Sequence, residues 1–367
     1  KVILTMKRKF HAFRKSFKNN DLYLHAMRIG MILDASFPPD VRVENEALSL
    51  ARAGHQIFLF SLDFDGRTGP EKYKDIDVVR YPAGRALYKL SALAYTVPFY
   101  RWIVSGYIRD FIKSFGIQIL HIHDMVIAEG AMQANRSFRL PVVLDLHENR
   151  PEIMKEYKHA QSPMGKAMIS LKRWSEKYYE LAARADRVVV VTEAAGGDII
   201  EKTGKNSKNV VVVPNTVKIG DFTSHPVNKE IVRRMDGFYN IVYIGDTSIR
   251  RGTDTAIRAM ALIKDNIPNA RLWLVGKSSA DRELKALCGS IGVTESVVME
   301  GWQLPEFLPS YLTGASIALS PLKKNRHHDT TYANKLFQYM ILSIPVVVSV
   351  SRAQADLVEL ENCGLVH

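Results

Sequence analysis

Positively charged and hydroxyl-bearing side chains are concentrated in one stretch of the sequence, between two apolar runs. The stretch begins with a basic loop that contains Lys323, Lys324, Arg326, His327 and His328. Three residues whose side-chain oxygens are suited to capping a helix follow it: Asp329, Thr330 and Thr331. A helical pattern from Tyr332 to Leu342 follows, and strands are predicted at 316–319 and 344–350. Because the first turn of a helix presents unpaired N–H groups, this arrangement predicts an anion site, with phosphate as the expected ligand. The alternative is a solvated basic loop before an ordinary capped helix.

A second cationic group follows a predicted strand that ends at Gly245. Arg250 and Arg251 lie in the loop after this strand, and Gly252 leads into a predicted helix. The sequence contains no GxGxxG dinucleotide motif, no GxxxxGK[ST] phosphate loop, no GxSxG hydrolase motif and no His/Cys cluster with zinc spacing. With little sign of a metal, positive side chains must neutralise the phosphates, and the candidates are Arg250, Arg251 and Lys335.

The elements that position these residues are strands alternating with helices. The first half of the chain contains apolar runs of strand length at 27–33, 56–61, 76–80, 117–123, 142–146, 187–192 and 210–213. Helical patterns separate most of them, beginning with Val43–Ala53, which is closed by Gly54. Such alternation predicts an open, mostly parallel sheet with helices on both faces.

The same pattern starts again after a polar linker. Strand-like runs at 240–244, 271–275 and 296–300 end at Gly245, Gly276 and Gly301, and the stretch from Ala315 continues the series. The predicted fold is therefore α/β, with two facing Rossmann-like doubly wound domains and a cleft between them. The predicted boundaries are a first domain at 27–214, a linker at 215–229 and a second domain at 230–367. Ligands of such sheets bind outside the carboxyl ends of the strands, so we expect residues 37–42, His123, the glycine loops and the basic loop to converge there.

Residues 1–26 form a basic extension ahead of the first domain. Residues 1–20 hold seven Lys and Arg and no acid, which leaves +5 of the net charge of +12 for the rest of the chain (12 − 7). Met6, Phe10, Phe13 and Phe17 recur at helical spacing, which predicts an amphipathic helix suited to an anionic membrane surface. A helix that packs on the body of the protein is the alternative. We expect no nucleic-acid partner, because no recognition motif is present.

Composition sets the expected compartment. The two cysteines, Cys288 and Cys363, match no metal or redox spacing, and no apolar run approaches the length of a membrane span. These features predict a cytoplasmic protein, peripheral at the inner membrane face. The aromatic stretch 85–107 could form a helical pair that faces lipid or acceptor, or could cover one face of the sheet as ordinary core.

Several motifs in order resemble those of one enzyme family. The sequence contains FPPDVRVENEALSLARAGHQIFLFS, ILHIHD, VVLDLHEN, YIGDTSIRRGTDTAIRAM and NKLFQYMILSIPVVVS. Together they resemble the retaining GT-B glycosyltransferases of the "glycosyl transferases group 1" kind, from about Met27 to the end of the chain. Members of the family usually continue further, so we expect the second domain to be incompletely covered by this sequence.

The resemblance implies roles for individual residues. Arg251, with Arg250 and Lys335, would hold the donor diphosphate, and His123 would lie beside the sugar and the acceptor hydroxyl. The other implied donor-binding residues are Gly245, Gly252, Gly276, Gly301, Trp302, Thr330, Thr331, Tyr332 and Gln338. Of these, Gln338 would accept from a ribose hydroxyl, and Thr330 stands where the family has a glutamate. Asp40, Arg42 and Glu148 are expected on the acceptor side.

The implied reaction is transfer of a sugar from a UDP- or GDP-sugar to an acceptor hydroxyl, with retention at the anomeric carbon. We expect a glycan or lipid-linked acceptor, as in bacterial surface glycan synthesis, and neither a metal nor a further cofactor. Two alternatives stay open: a UDP-sugar epimerase with the same fold, and a non-catalytic scaffold subunit.

Overall fold

The computed structural model describes residues 26–64, 66–155 and 161–367. The amphipathic helix predicted within residues 1–20 lies outside the described residues. The chain divides into two compact units. The described part of the first unit consists of residues up to Val190 together with Gly196–Val213. The second unit consists of Val191–Ala195 and Pro214–His367.

The first unit is built on a sheet of eight strands in the order β3-β4-β2-β1-β5-β6-β7-β8. All neighbours are parallel except β3 and β4, which are antiparallel. The strands are β1 Arg28–Leu33, β2 Gln56–Asp63, β3 Gly69–Tyr73, β4 Ile76–Pro82, β5 Ile119–His123, β6 Val142–Leu146, β7 Arg187–Val190 and β8 Val210–Val212. The central strands are almost continuously apolar, as expected of parallel strands covered on both faces.

Helices connect these strands. They are α1 Val41–Arg52, α2 Arg85–Ser91, α3 Phe99–Phe115, α4 Met125–Ala134, α5 Arg150–Met154, α6 Pro163–Met168, α7 Leu171–Arg184 and α8 Glu193–Thr203. Side-chain caps fix several of their starts, because an oxygen at the cap position accepts otherwise unpaired N–H groups. Asp40 caps α1, Asn149 caps α5 and Ser170 caps α7.

The second unit contains a sheet of six strands in the order β11-β10-β9-β12-β13-β14, all parallel. The strands are β9 Tyr239–Ile244, β10 Ala270–Val275, β11 Val297–Gly301, β12 Ile317–Ser320, β13 Val346–Val348 and β14 Gly364–Val366. The helices are α9 Ile219–Thr223, α10 Lys229–Met235, α11 Thr253–Ile263, α12 Asp281–Ser290, α13 Leu308–Thr313, α14 Arg326–Asp329, α15 Asn334–Ile341 and α16 Arg352–Glu361. Two parallel-sheet domains were predicted, and this prediction is confirmed.

Each face of the second sheet has its own hydrophobic core. Val242, Trp273 and Ala318 pack on one side, and Tyr243 and Leu274 pack on the other. Successive side chains of a strand point to opposite faces, so one strand feeds both cores. The sheet therefore holds the loops at its carboxyl edge on a rigid base.

The structure corrects the sequence-based boundaries around residue 330. The predicted loop contains a short helix, α14, and the following helix begins at Asn334 instead of Tyr332. Ser343 stands where the resemblance to the family implies glycine, and its φ of 57° is in the left-handed region that glycine favours. The antiparallel edge strand β3 was not predicted, because its GPEKY sequence is polar and begins with Gly and Pro.

The aromatic stretch 85–107 contains all of α2 and the first part of α3, so it is a pair of helices as predicted. Tyr100 and Val104 are buried, while Tyr88 and Trp102 are exposed. The stretch therefore both covers the sheet and presents aromatic side chains outward. Within the described residues no helix is long and apolar enough to cross a membrane. Both cysteines are unpaired thiols.

Candidate functional site

The glycine loops of the second unit pack backbone against backbone. A Cβ atom placed on Gly276 would lie 1.8 Å from the carbonyl oxygen of Gly245, and one on Gly252 would lie 1.7 Å from that of Pro321. Gly245 follows β9, Gly276 follows β10 and Pro321 follows β12. The loops at the carboxyl ends of three neighbouring strands therefore meet at distances that only glycine permits.

Lys335, in the first turn of α15, reaches into this group of loops. Its Nζ lies 3.4 Å from the ring centroid of Tyr243, and a Cβ on Gly245 would lie 3.4 Å from the same atom. The residue is only 8% exposed and its Nζ has no hydrogen-bond partner. Burial, helped by the charge of Arg251, holds the pKa of the amine well below its usual range. A buried amine beside backbone N–H groups is a position for an anion.

Arg250 and Arg251 lie in a 3₁₀ turn, Ile249–Arg251, beside Asp246. The Asp246 Oδ2 atom lies 3.3 Å from Nη2 of Arg250 and 3.8 Å from Nε of Arg251. Burial alone would raise the pKa of Asp246, but hydrogen bonds from Ser248 and the two arginines hold it below its usual value. Asp246 is therefore ionised at neutral pH and offsets one of the two arginine charges.

The two histidines of the basic loop do not add to its charge. His327 and His328 are buried, and burial lowers their pKa values to about 3 and about 4. Asn325 caps α14 by accepting from the backbone N–H of His328 at 2.7 Å. Lys323 forms an ion pair with Asp254 at 2.9 Å. The two histidines are therefore neutral at pH 7, and the positive charge near Lys335 comes from the Arg250–Arg251 turn.

The prediction that Asp329, Thr330 and Thr331 cap the helix of Lys335 is wrong. The Thr330 and Thr331 hydroxyls donate to the carbonyl of His327 at 3.2 and 2.8 Å, which closes α14 instead. Asp329 accepts the backbone N–H of Arg352 at the start of α16. Ala333 stands at the cap position of α15 and supplies no side-chain oxygen. The Leu336 N–H donates to the Ala333 carbonyl at 2.9 Å, so the first turn of α15 keeps the Asn334 and Lys335 N–H groups for a ligand or for water.

The remaining predicted donor residues border the same sheet edge. Gly301 ends β11 and lies beside Val275 in the sheet, with Trp302 following as a side chain that is 64% exposed. Tyr332 packs edge-on against Phe337 of α15, with ring centroids 5.4 Å apart. Gln338, also on α15, is half-buried.

On the first unit, His123 ends β5 and is fully buried. Its Nδ1 lies 3.2 Å from Nε2 of His147, and its Nε2 has no hydrogen-bond partner. Burial is the main cause that lowers the pKa of His123 well below its usual value. Charge on the neighbouring His121, His147 and Arg42 lowers it further. The imidazole is therefore neutral at pH 7.

The three acceptor-side predictions fall around Asp124, the residue after His123. Asp40 accepts from the N–H groups at the start of α1, and the Arg42 guanidinium lies 3.8 Å from Asp40 and 3.9 Å from Asp124. Burial raises the pKa of Asp124 to about 7; Arg42 opposes this shift and Glu148 adds to it. Asp40, Arg42, His123 and Glu148 thus lie in one neighbourhood.

Sequence reasoning missed a buried group next to His123. Glu46 of α1, His121 of β5 and Asp145 of β6 bring one ligand-type atom each to within 4.8 Å of His123 and of one another. Burial raises the pKa of both carboxyl groups, Glu46 and Asp145. Glu46 follows Arg42 by four residues on α1, so the two share one helix face, and that spacing was the available signal.

Two sequence families match the chain. "Glycosyl transferase 4-like domain" matches residues 39–216, and "Glycosyl transferases group 1" matches residues 239–367. The chain belongs to the GT-B glycosyltransferases. The two matches fall on the first and second sheets respectively, so both halves of this GT-B chain carry the family pattern.

Relatives and solved structures agree with this membership. The D-inositol 3-phosphate glycosyltransferase of Acidothermus cellulolyticus is 23% identical over 245 residues, which are 63% of this chain and 52% of that protein. The GT-B chain thus spans about half the length of the curated relatives it matches. The fold resembles the sucrose-phosphate synthase of Thermosynechococcus elongatus, with 17% identity, a TM-score of 0.69, and coverage of 93% of this chain and 85% of that one. It also resembles Anabaena HepE, solved in complex with UDP and glucose, with 15% identity, a TM-score of 0.63 and the same coverages of 93% and 85%.

Proposed function

We propose that the chain transfers a glycosyl group from a nucleoside-diphosphate sugar to an acceptor hydroxyl, with retention at the anomeric carbon. The observation that carries the proposal is Lys335: a buried amine without a hydrogen-bond partner, next to Gly245 and Arg251 and in the first turn of a helix. A diphosphate supplies the negative charge and the acceptor oxygens that this position lacks.

The chemistry follows from where charge develops. As the bond between the anomeric carbon and the diphosphate oxygen breaks, negative charge grows on the leaving group. Lys335, Arg250, Arg251 and the N–H groups of α15 stabilise it, and Lys335 acts most strongly because it is buried. The acceptor oxygen forms its bond on the same face, and the departing phosphate oxygen takes the acceptor proton. Neutral His123 donates a hydrogen bond on the acceptor side.

The donor and acceptor classes extend the proposal. A UDP-sugar is favoured over a GDP-sugar because HepE, which shares the fold, was solved with UDP and glucose. Side-chain cations neutralise the diphosphate, so the transfer step needs neither a metal nor a further cofactor. The acceptor is a glycan or lipid-linked saccharide of bacterial surface glycan synthesis.

Location is part of the same proposal. We place the protein in the cytoplasm, at the inner membrane face, through the seven cationic residues within 1–20. Co-sedimentation with anionic vesicles should fall sharply when residues 1–20 are removed. Equal sedimentation of both forms would overturn the membrane contact and leave the transfer reaction untouched.

The test of the transfer reaction starts from Arg251→Ala. We expect wild-type protein to be stabilised by UDP or a UDP-sugar in thermal shift assays and to release UDP when an acceptor is present. Arg251→Ala should lower kcat/KM by about 100- to 1,000-fold, because it removes one charge that acts on the leaving group. Arg258→Ala, an exposed arginine of the same unit, is the matched control. Wild-type turnover in Arg251→Ala, or no response to any nucleotide, would contradict the proposal.

A further inference from the structure

The first unit contains a cluster of metal-ligand side chains that the transfer reaction does not use as such. It consists of Glu46, His121, His123 and Asp145, hereafter the His–carboxylate cluster. One ligand atom of each residue lies within 4.8 Å of the others. Among the residues that the structure describes, this is the one place where three or more His, Cys, Asp or Glu side chains come together with this spacing.

The fold brings the four side chains together from three elements. His121 and His123 are two residues apart on β5 and so point to the same face of the sheet. Asp145 is the direct neighbour of His123 in the adjacent parallel strand β6. Glu46 comes from the second turn of α1, which packs on that face. The sheet register and the helix therefore fix the cluster independently of any loop.

The separations between ligand atoms match those around a tetrahedral zinc ion. With bonds of about 2.0–2.1 Å, tetrahedral ligand atoms lie about 3.3–3.5 Å apart. His121 Nε2 lies 3.7 Å from Glu46 Oε2 and 3.5 Å from Asp145 Oδ2. His123 Nδ1 lies 3.9 Å from Glu46 Oε2 and 3.6 Å from Asp145 Oδ2. The His121–His123 and Glu46–Asp145 pairs also lie within 4.8 Å, so shifts of up to about an ångström would bring all four atoms to bonding distance.

A second observation is that three of the four residues offer ligand atoms without a hydrogen-bond partner, whereas His123 Nδ1 contacts His147 Nε2 at 3.2 Å. His121 Nε2, Glu46 Oε2 and both carboxylate oxygens of Asp145 are buried without a hydrogen-bond partner. Asp145 is 1% exposed, and its Oδ2 points toward the imidazole nitrogens of His121, His123 and His147 at 3.3–3.6 Å. Unpartnered polar atoms at such depth destabilise a fold, and a bound cation would satisfy His121 Nε2, Glu46 Oε2 and one Asp145 oxygen at once.

We propose that the His–carboxylate cluster binds one divalent transition-metal ion, with zinc the best fit to two imidazoles and two carboxylates. His147 adjoins the same space, with its Nε2 3.2 Å from His123 Nδ1 and 3.3 Å from Asp145 Oδ2. It can add a fifth ligand or donate to Asp145. The ion ties α1 to the centre of the sheet, and this role does not depend on the proposed transfer reaction.

Metal binding through Nδ1 also sets the protonation of His123. With Nδ1 coordinated, the remaining proton sits on Nε2, the nitrogen that has no partner within the described residues. The ion would thereby hold His123 as a hydrogen-bond donor. This consequence, unlike the binding site itself, rests on the proposed function, in which His123 faces the acceptor side.

The experiment uses the full chain, stripped with a chelator and reloaded with zinc before gel filtration. We expect one equivalent of zinc per chain by elemental analysis, a higher thermal midpoint with zinc, and visible absorption of the four-coordinate type when Co²⁺ replaces it. Asp145→Asn and Glu46→Gln should each weaken binding by at least about 100-fold, since even changes beyond the ligands cost 10- to 100-fold. Asp77→Asn, the same change at a more exposed carboxylate of the same sheet, should bind like wild type.

Two results would overturn the site. One is wild-type protein that retains no zinc, which would leave the cluster as a network of shared protons. The other is unchanged zinc content in the double variant Glu46→Gln/Asp145→Asn. If Asp145→Asn does not fold, His121→Gln removes a ligand at a partly exposed position instead. The UDP-induced thermal shift, measured on the same samples, reports on the second unit and separates failure of this site from failure of the proposed function.

Discussion

At the scale of single residues, Lys335 combines function with an energetic cost. Its amine is buried against Tyr243 without a hydrogen-bond partner, so the folded protein loses solvation there that no hydrogen bond replaces. We expect Lys335→Met to raise the free energy of unfolding by about 1–2 kcal/mol, because an apolar chain of similar length fits the same space. Nucleotide binding should be lost in the same variant.

Denaturant titration and calorimetry measure the two effects of Lys335→Met. Lys323→Met is the control, because Lys323 is partly exposed and pairs with Asp254 outside the buried pocket. A destabilised Lys335→Met protein that still binds UDP with full affinity would show that the amine serves packing and not the ligand.

The lowered pKa of Lys335 gives a prediction with a definite sign. In the folded chain the amine loses its proton below its usual pKa of about 10.4, whereas the unfolded chain still holds it. The unfolded state therefore binds more protons between those two values, and stability rises with pH across that window. A bound diphosphate restores the charged form, so nucleotide binding should take up as much as one proton.

Calorimetry in buffers of different ionisation enthalpy measures this proton uptake. The apparent binding enthalpy of UDP should vary linearly with buffer enthalpy when the pH lies within that window, and the slope gives the number of protons. Identical enthalpies in all buffers would mean that Lys335 does not change its protonation when nucleotide binds.

At the scale of elements, the contact between the loops after β9 and β10 sets the shape of the anion site. A Cβ on Gly276 would collide with the carbonyl of Gly245, so Gly276→Ala must push the two loops apart. We expect a loss of stability of about 1–3 kcal/mol, the usual cost of overpacking, together with a marked loss of UDP affinity. Gly289→Ala is the matched control.

Gly289 lies in helix α12, where an added Cβ meets nothing within 4 Å. The same substitution there should stabilise the protein by up to about 1 kcal/mol, because alanine favours a helix over glycine. Thermal melts and nucleotide titrations of both variants give the comparison. Equal behaviour of the two would mean that the close approach of Gly276 to Gly245 is not needed.

Most of these elements were predictable because their patterns are local. Central strands such as 240–244 and 271–275 are apolar runs that stop at glycine, and each stop marks the carboxyl edge where the site forms. The short helix α14 was not predictable in this way. Its sequence RHHD looks like a charged loop, and the burial of His327 and His328, which depends on the surrounding fold, cannot be seen in the sequence.

The His–carboxylate cluster shows a different limit. His121, His123 and Asp145 are visible in the HIH and DLHE motifs, but Glu46 precedes them by 75 to 99 residues (121 − 46 and 145 − 46) and lies on a helix. Zinc spacing rules describe ligands on one loop or helix, whereas here sheet register and helix packing supply the geometry. Tertiary placement, and not spacing along the chain, decides such a site.

At the scale of the whole molecule, each unit has its own hydrophobic core. A ligand that binds to one folded unit therefore stabilises that unit by mass action. UDP at 100 times its dissociation constant should stabilise the protein by about 2.7 kcal/mol. Hydrogen exchange resolved by peptide should then show the largest gain of protection in the second unit, at the ends of β9 and β10 and in α15. Protection confined to the first unit would contradict the assignment of the donor site, and Lys335→Met should show no gain.

The position of Lys335 over the Tyr243 ring has one more consequence. Nuclei held above an aromatic face are shielded by its circulating electrons, so the terminal methylene and amine of this lysine should resonate apart from the signals of lysines in water. Isotope labelling of lysine would then make occupancy of the site visible by magnetic resonance, with no tag on the nucleotide and none on the protein.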